Sequence, residues 1–479
     1  MKKQVCIVGL LLLGVAGWSG EVRGDLPKKN KKEYRVRTVE NPHAKEAAAF
    51  PGSVLEGEPR LGDVEVTIDG DYRVSPEEIR MTALKAPWMR TGLYIAPGEL
   101  VTVEVPKGAG RVEYRISGYH CRLNPAKVKH LKRFPDVRKN GKLEAGKNEI
   151  YSDFGGHLYF VFPDGAPGRK LKFKVSGAVK SPDFVLGETD AEQWKKEVLA
   201  SGVPWGEMVC DRVIFTLPIA SMWKVKDPEE MMKFYKEMIE QDFNHYSGLS
   251  DDAAEARHRS PDIPWRFVFD VQLCAGAAHA GYPIACSYSW ADRAVDVDLI
   301  RNDDRAWGFY HEMGHNYQHW CWKWGTLGEV SCNFPIFHAR NRLGTWPKRV
   351  DKYQKFVDEL ANRDFEGKDF DKAPFGHESR IVPFVQLAQE YGWELYRFLA
   401  KESRDLSKAE AQALRKAGND GRRDFFCLTT AKFAKQDLRP FYDAWGIKYS
   451  DRVKAELAKF PALKTEFWKV FDVNKMPKL

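Results

Sequence analysis

Residues 307–320 read Trp307-Gly308-Phe309-Tyr310-His311-Glu312-Met313-Gly314-His315-Asn316-Tyr317-Gln318-His319-Trp320, and Gly328-Glu329-Val330-Ser331-Cys332-Asn333 follows soon after. The first run contains HExxH. On a helix, positions i and i+4 share one face, so His311 and His315 can hold one metal ion through their imidazole nitrogens. Glu312 then stands beside the ion without binding it and can move a proton between water and a leaving amine. Zinc (Zn²⁺) needs a third protein ligand and one open position. Glu329, fourteen residues after His315 and expected to open a second helix, is the natural third ligand. Gly325 and Gly328 supply the reversal between the two helices. His319 continues the helix face one turn further, where a ligand would overshoot the ion, so it is read as supporting or structural. Asn333, one turn after Glu329, is placed to bond the back of a ligand histidine. A plain helix-surface Asn is the equal alternative.

Outward from this segment the periodicity changes. Beyond residue 300 the chain reads mostly helical: 307–320, 329–342, 353–362, 382–391 and 393–401. Earlier, Asp227 caps a helix with Pro228 at its first position and Met231, Tyr235, Met238 and Ile239 on its apolar face. Strand-like runs stand at 213–217 and 267–273. Between about 61 and 185 the pattern is alternation. Val64, Val66 and Ile68 are followed by Val101, Val103 and Val105, then Val112, Tyr114 and Ile116. Leu158, Phe160 and Phe162 come next, then Leu171, Phe173 and Val175. Period-two runs broken by Pro and Gly argue for an antiparallel sandwich. The expected class is α+β: an N-terminal antiparallel β-sandwich at 61–185, then a mostly α-helical metallopeptidase domain at 186–479. Residues 21–60, polar and rich in Lys, Pro and Gly, read as a tether.

Composition narrows the class. The chain has 479 residues, 43% hydrophobic and 30% charged, as a globular protein has. Its 75 Lys and Arg against 67 Asp and Glu give +8, too mild and dispersed to indicate nucleic acid. Mean hydropathy is -0.50, which excludes a polytopic membrane protein. Lys2 and Lys3, the apolar run Val5–Ala16 and the small residues Gly17, Ser19 and Gly20 read as a cleaved signal over 1–20. That predicts export to the periplasm, the cell surface or the medium, with no stable membrane insertion after cleavage. Eight cysteines are present, none spaced as CxxC. Removal of Cys6 leaves seven, an odd number, and their pairing is not legible from spacing.

Other segments carry a resemblance. The run HEMGHNYQ with Glu329-Val330-x-x-Asn333 resembles the enhancin-like zinc metallopeptidases (peptidase family M sixty), which include mucin-degrading bacterial enzymes. Ala86-Pro87-Trp88-Met89-Arg90-Thr91-Gly92-Leu93-Tyr94-Ile95-Ala96-Pro97-Gly98-Glu99 resembles the family's W-x-x-TGLY-x-x-PGE strand pair. Phe154-Gly155-Gly156-His157-Leu158-Tyr159, Asp270-Val271-Gln272, His279-Ala280-Gly281-Tyr282-Pro283 and Asp443-Ala444-Trp445-Gly446 resemble further family segments, in order. The resemblance implies a gluzincin-type protease with metal ligands His311, His315 and Glu329 and base Glu312. It also implies an O-glycopeptidase that cuts mucin-like, O-glycosylated glycoproteins. Tyr282, in a family-like run, is the expected second catalytic residue, a donor to the transition state. Tyr288 and His377 are further candidates. Tyr288 and Arg340 are the expected substrate-binding residues, with core or surface positions as the alternative for each. A zinc peptidase for unglycosylated peptides, or a carbohydrate-binding protein with a vestigial site, remain the alternatives.

Overall fold

The alternating segments pair as two antiparallel sheets. The computed structural model describes residues 35–70, 87–119, 121–165, 168–346, 348–364, 366–373 and 376–479. The signal segment 1–20 lies outside them. In chain order the first strands are β1 (Val64–Asp69), β2 (Met89–Ile95), β3 (Val101–Val105), β4 (Val112–Ile116), β5 (Lys139–Leu143), β6 (Gly146–Ile150), β7 (Gly156–Val161), β8 (Lys170–Ser176) and β9 (Val179–Lys180). One sheet runs β1-β8-β3-β6 and the other β5-β4-β7-β2-β9. Their inner faces bury Val66, Ile68, Val101, Val103, Ile116, Leu158, Phe160, Phe173 and Val175 in one core. Strand β8 shows the cause plainly: Leu171, Phe173 and Val175 are buried while Lys170, Lys172 and Lys174 are exposed.

A third sheet follows, with β10 (Phe184–Val185), β11 (Trp205–Val209), β12 (Val213–Pro218), β13 (Trp265–Asp270), β14 (Ala278–His279) and β15 (Ile284–Ser287). Its order is β10-β11-β12-β13-β15-β14, and β12, β13 and β15 are parallel. The α+β class holds. The region expected to be mostly helical thus contains five of these six strands, and all residues of β11, β12 and β13 are buried. Strands covered on both faces lose the alternation that marks a half-exposed strand. A helical assembly with its own aromatic core completes the chain. No helix among the described residues is long and apolar enough to cross a membrane.

The tether expected over 21–60 is corrected for residues 35–60. Helix α1 (Ala44–Ala49) and the turns after it pack into the seam between the sandwich and the third sheet. Ala47 and Phe50 are buried, with the Phe50 ring against Tyr119 and Phe154. Tyr94 Oη donates to Gly52 O at 2.9 Å and Trp205 Nε1 to Pro51 O at 2.5 Å. A largely polar segment that buries Ala47 and Phe50 is held here also by its backbone carbonyls. Composition does not reveal that.

The same seam contains a buried charge network. Glu207 of β11 and Arg266 of β13 are 1% and 0% exposed and hydrogen-bonded to each other. Tyr159 of β7 donates to Glu207 Oε1 at 2.7 Å, and Thr216 of β12 donates to it at 3.1 Å. Arg90 of β2 bonds Asp183 at 2.7 Å. Burial alone would raise the Glu207 carboxyl, but Arg266, then His157 and Arg90, hold it at about 2. Two sandwich strands and three strands of the third sheet thereby share one neutralised site.

Removing one member of a buried pair leaves the other charge uncompensated, so Glu207→Gln should lower unfolding free energy by about 3–5 kcal/mol at neutral pH. Because the folded value is depressed, this contribution is fully present above the unfolded carboxyl value, about 4.3, and is lost as pH falls toward 2. Urea unfolding of both proteins from pH 7 to pH 2.5 checks this. A gap between them that does not narrow with acid would contradict it.

Candidate metal centre

Helix α2 (Pro228–Glu237), capped by the Asp227 carboxylate on Glu230 N–H, packs with β12 through Phe215 and Tyr235, whose rings lie 4.4 Å apart. Helix α3 (Trp307–Asn316) lies on the same core. Its buried face is Phe309, Tyr310 and Met313. Phe309 meets Phe267 of β13 at 6.1 Å and Tyr310 meets Phe243 at 6.2 Å. The 3.6-residue period then turns His311, Glu312 and His315 toward an open cleft.

Helix α3 stops at Asn316, short of the expected Trp320. Tyr317 leaves helical geometry and its N–H bonds back to Gly314 O at 3.0 Å. Glu329 stands in the turn before a short helical turn at Ser331–Asn333, which leads into α4 (Phe334–Leu343), rather than at the head of a long helix. The turn can reach α3 because position 314 is glycine. A Cβ there would lie 1.8 Å from Cys332 O.

Three donors converge. His311 Nε2 lies 3.1 Å from His315 Nε2 and 3.2 Å from Glu329 Oε2, and His315 Nε2 lies 3.3 Å from the same oxygen. Their protonation follows from the groups behind them. Asn333 Nδ2 donates to Glu329 O at 2.9 Å, which turns Asn333 Oδ1 to His311 Nδ1 at 2.8 Å. Gln318 Nε2 donates to Gly328 O at 2.7 Å and Ser331 Oγ at 2.8 Å, which turns its Oε1 to His315 Nδ1 at 3.0 Å. Both Nδ1 atoms therefore carry the proton, and both Nε2 lone pairs face the Glu329 carboxylate. Three electron-pair donors at this spacing call for a cation between them. Tetrahedral zinc with bonds near 2.0–2.1 Å separates its ligands by about 3.3–3.4 Å, so the set fits.

The neighbouring groups complete the site. Burial raises the Glu312 carboxyl above its usual value, and His311, His315 and His279 oppose the rise. Cys332 Sγ is 3.5 Å from His311 Nδ1, and burial, then Glu329 and Glu312, push its thiol well up. Ala278–Gly281, Asn316, Gln318 and Lys323 form the rest of the cleft wall, around about 500 Å³ of space, within the range of small-ligand sites.

The fold brings His311, Glu312, His315, Glu329 and Asn333 together. It does not bring the other expected residues there. Tyr282, expected as a transition-state donor, packs at the seam instead, with its ring edge-on to Trp88 at 6.1 Å and its hydroxyl in the field of the buried Arg266. Tyr288, expected to bind substrate, packs edge-on against Trp205 at 5.9 Å. Arg340, the other expected substrate residue, is 2% exposed and spans backbone carbonyls, among them Ile300 O at 3.4 Å and Asp303 O at 3.0 Å. It ties α4 to the chain before α3. His319, past the end of α3, is buried in the helical half and stacks on Trp322 at 6.5 Å. The His377 side chain lies outside the described ones. Sequence reasoning passed over Gln318 and Asn316. Gln318 stands three residues after His315, a spacing that brings side chains together on a helix. Asn316 holds Gly281 through both backbone groups, at 2.9 and 3.0 Å.

Comparisons with known proteins agree with this architecture. A model of the N-terminal domain of M60-like peptidases matches residues 73–183, and one for peptidase M60, enhancin and enhancin-like, matches 177–446. TRPM8 channel-associated factor 1 from Homo sapiens is 27% identical over 406 residues, covering 81% of this chain and 41% of that protein. TRPM8 channel-associated factor 2 from Homo sapiens is 27% identical over 383 residues, covering 78% and 39%. The chain spans about two fifths of the length of these curated relatives. A crystal structure of a conserved protein of unknown function from Bacillus anthracis str. Ames superposes with a TM-score of 0.72 at 25% identity, covering 86% of this chain and 82% of that one. The ZmpB metallopeptidase from Clostridium perfringens shares the fold, with a TM-score of 0.69 at 18% identity over 86% and 84% of the chains. Since the second model covers more than half of the chain and adjoins the first in order, the chain belongs to the enhancin and enhancin-like peptidase family M60.

Proposed function

We propose that this chain is an exported zinc endopeptidase that cuts O-glycosylated, mucin-like glycoproteins. The observation that carries the reading is the triad of lone-pair donors, His311, His315 and Glu329, with Glu312 beside it. A zinc ion held by these three would polarise the scissile carbonyl and make water a better nucleophile. Glu312, half-buried and with a raised affinity for protons, takes the proton from the attacking water and passes it to the leaving amine. Asn333 and Gln318 keep both imidazoles in the tautomer that faces the ion. With Tyr282 turned to the seam, the N–H-bearing side chains that line the cleft include His279 and Lys323.

Support for a glycosylated substrate is indirect. The M60 catalytic domain of ZmpC from Clostridium perfringens, which shares the fold at 16% identity and a TM-score of 0.67, has been crystallised with the sialyl T antigen. An open cleft of about 500 Å³, lined largely by polar side chains, leaves room for a sugar beside the peptide. The apolar run Val5–Ala16 behind Lys2 and Lys3 supports export.

The test incubates the protein with one O-glycopeptide and its sugar-free twin, with and without a chelator, and identifies the products by mass spectrometry. Chelator-sensitive cutting of the glycosylated peptide alone is the expected result. Cutting of both discards sugar recognition, and cutting of neither across a panel of glycans discards the peptidase. Glu312→Ala should retain zinc and lose turnover by at least about a hundredfold, whereas His315→Ala should lose both. Normal turnover by Glu312→Ala would sink the mechanism. Asn333→Ala should weaken zinc retention by about 10–100-fold in a chelator competition, with the fold intact by circular dichroism.

A further inference from the structure

Cys121, Cys274 and His279 meet outside the donor triad. Cys121 follows the sandwich strand β4, and Cys274 and His279 belong to the stretch between β13 and β15 that walls the cleft. Cys274 Sγ lies 2.8 Å from Cys121 Sγ although 153 residues separate them. Cys121 Sγ lies 3.1 Å from His279 Nε2, and Cys274 Sγ lies 3.9 Å from it. Cys121 is buried and Cys274 is exposed.

The surroundings fix this meeting. Arg133 pairs with Asp270 through two 2.8 Å bonds, both partners almost wholly buried, and donates to Cys121 O at 2.9 Å. Gln272 accepts from Lys132 N at 2.7 Å and donates to His130 O at 3.0 Å. The loop 121–135 and the segment 270–274 are thus stitched together on either side of the two sulfurs. Two chemistries use such a trio: a metal ion or a disulfide. Thiolates on one tetrahedral zinc, with bonds near 2.3 Å, stand about 3.8 Å apart. The pair is a full ångström closer than that, inside the contact distance of two separate thiols, and one sulfur is open to solvent.

We propose that Cys121 and Cys274 form a disulfide that clamps the cleft wall to the sandwich. The exposed Cys274, as thiolate, attacks a small disulfide oxidant such as oxidised glutathione, forming a mixed disulfide and releasing one thiol. His279 takes the proton of Cys121, whose sulfur then attacks Cys274 Sγ and expels the second thiol. Two thiols lose two electrons and two protons in all, and the oxidant's disulfide gains both. The closed bond anchors the segment 271–283 at its start. Its far end is already anchored, because Asn316 of the HExxH helix holds Gly281. Closure therefore fixes Ala278–Gly281, the wall opposite Glu312, at both ends.

The test uses the full chain equilibrated in glutathione buffers from reducing to oxidising, alkylated, digested without reduction and mapped by mass spectrometry. A linked Cys121–Cys274 peptide in the oxidising buffers is the expected result. Both cysteines alkylated as thiols throughout, or either joined to another cysteine, overturns the proposal. Metal analysis of the reduced protein separates the other chemistry. A second bound equivalent of zinc that Cys274→Ser abolishes assigns the trio to a metal and overturns the disulfide. Hydrogen exchange reads the clamp independently of peptidase activity: amides at 275–281 should exchange at least about tenfold faster in the reduced protein, and equally fast in Cys274→Ser under both conditions. No difference between the oxidised and reduced wild type would remove the clamp.

Discussion

The seam between the sandwich and the third sheet rests on one constraint: Glu207 and Arg266 are both charged and neither reaches water. Isolated, either charge would be expelled from such a place. Together, with Tyr159, Thr216 and the neighbouring Arg90–Asp183 pair, they require β2, β7, β11, β12 and β13 to hold one relative position. Everything that forms the cleft hangs from that position. Strand β13 carries Arg266 into the seam and ends at Asp270, where the cleft wall begins. Phe267 of the same strand supports α3 from beneath. A short strand thus faces the seam with one residue and the metal-site helix with the next.

The donor triad is rigid for a related reason. Each imidazole is fixed by an amide oxygen, and each amide is oriented by a backbone carbonyl that it donates to. Glu329 approaches because Gly314 lets the Cys332 backbone touch α3. Both amides also bind the turn that carries Glu329: Asn333 through Glu329 O and Gln318 through Gly328 O. The groups that set the histidine tautomers therefore also set the position of the third donor. One set of bonds serves both purposes, so the triad is organised before any ion arrives.

This arrangement explains what the sequence disclosed. The two histidines and Glu312 are legible because their geometry is local, set by the helical repeat alone. The sandwich is legible because five strands alternate over one core. The strands β11–β13 were harder, being buried on both faces. The long helix Lys408–Ala434 has a capping box in Ser407 and Glu410, yet Gly418 breaks its backbone and few of its residues before Asp424 are buried, which blurs the amphipathic pattern. Tyr282, Tyr288 and Arg340 were misplaced for one shared reason. A tyrosine or arginine near an active-site motif has the right chemistry for binding, but direction is decided by tertiary partners. A buried guanidinium, a tryptophan ring and a row of carbonyls took those three side chains. The 35–60 strap was missed on the same ground, since backbone carbonyls that accept from Tyr94 and Trp205 leave no trace in composition.

The segment from Asp270 to Pro283 joins these themes. Asp270 pairs with Arg133 of the sandwich, Gly281 is held by Asn316 of α3, and Tyr282 turns its hydroxyl back to Arg266 at the seam. Three parts of the molecule, folded from distant stretches of sequence, thus fix one loop. Tyr282 and His279 lie three residues apart and face opposite ways, one into the structural network and the other into the cleft. The groups this wall presents to the cleft are His279 and the backbone of Ala278–Gly281, whose position depends on how firmly the sandwich holds the beginning of the segment.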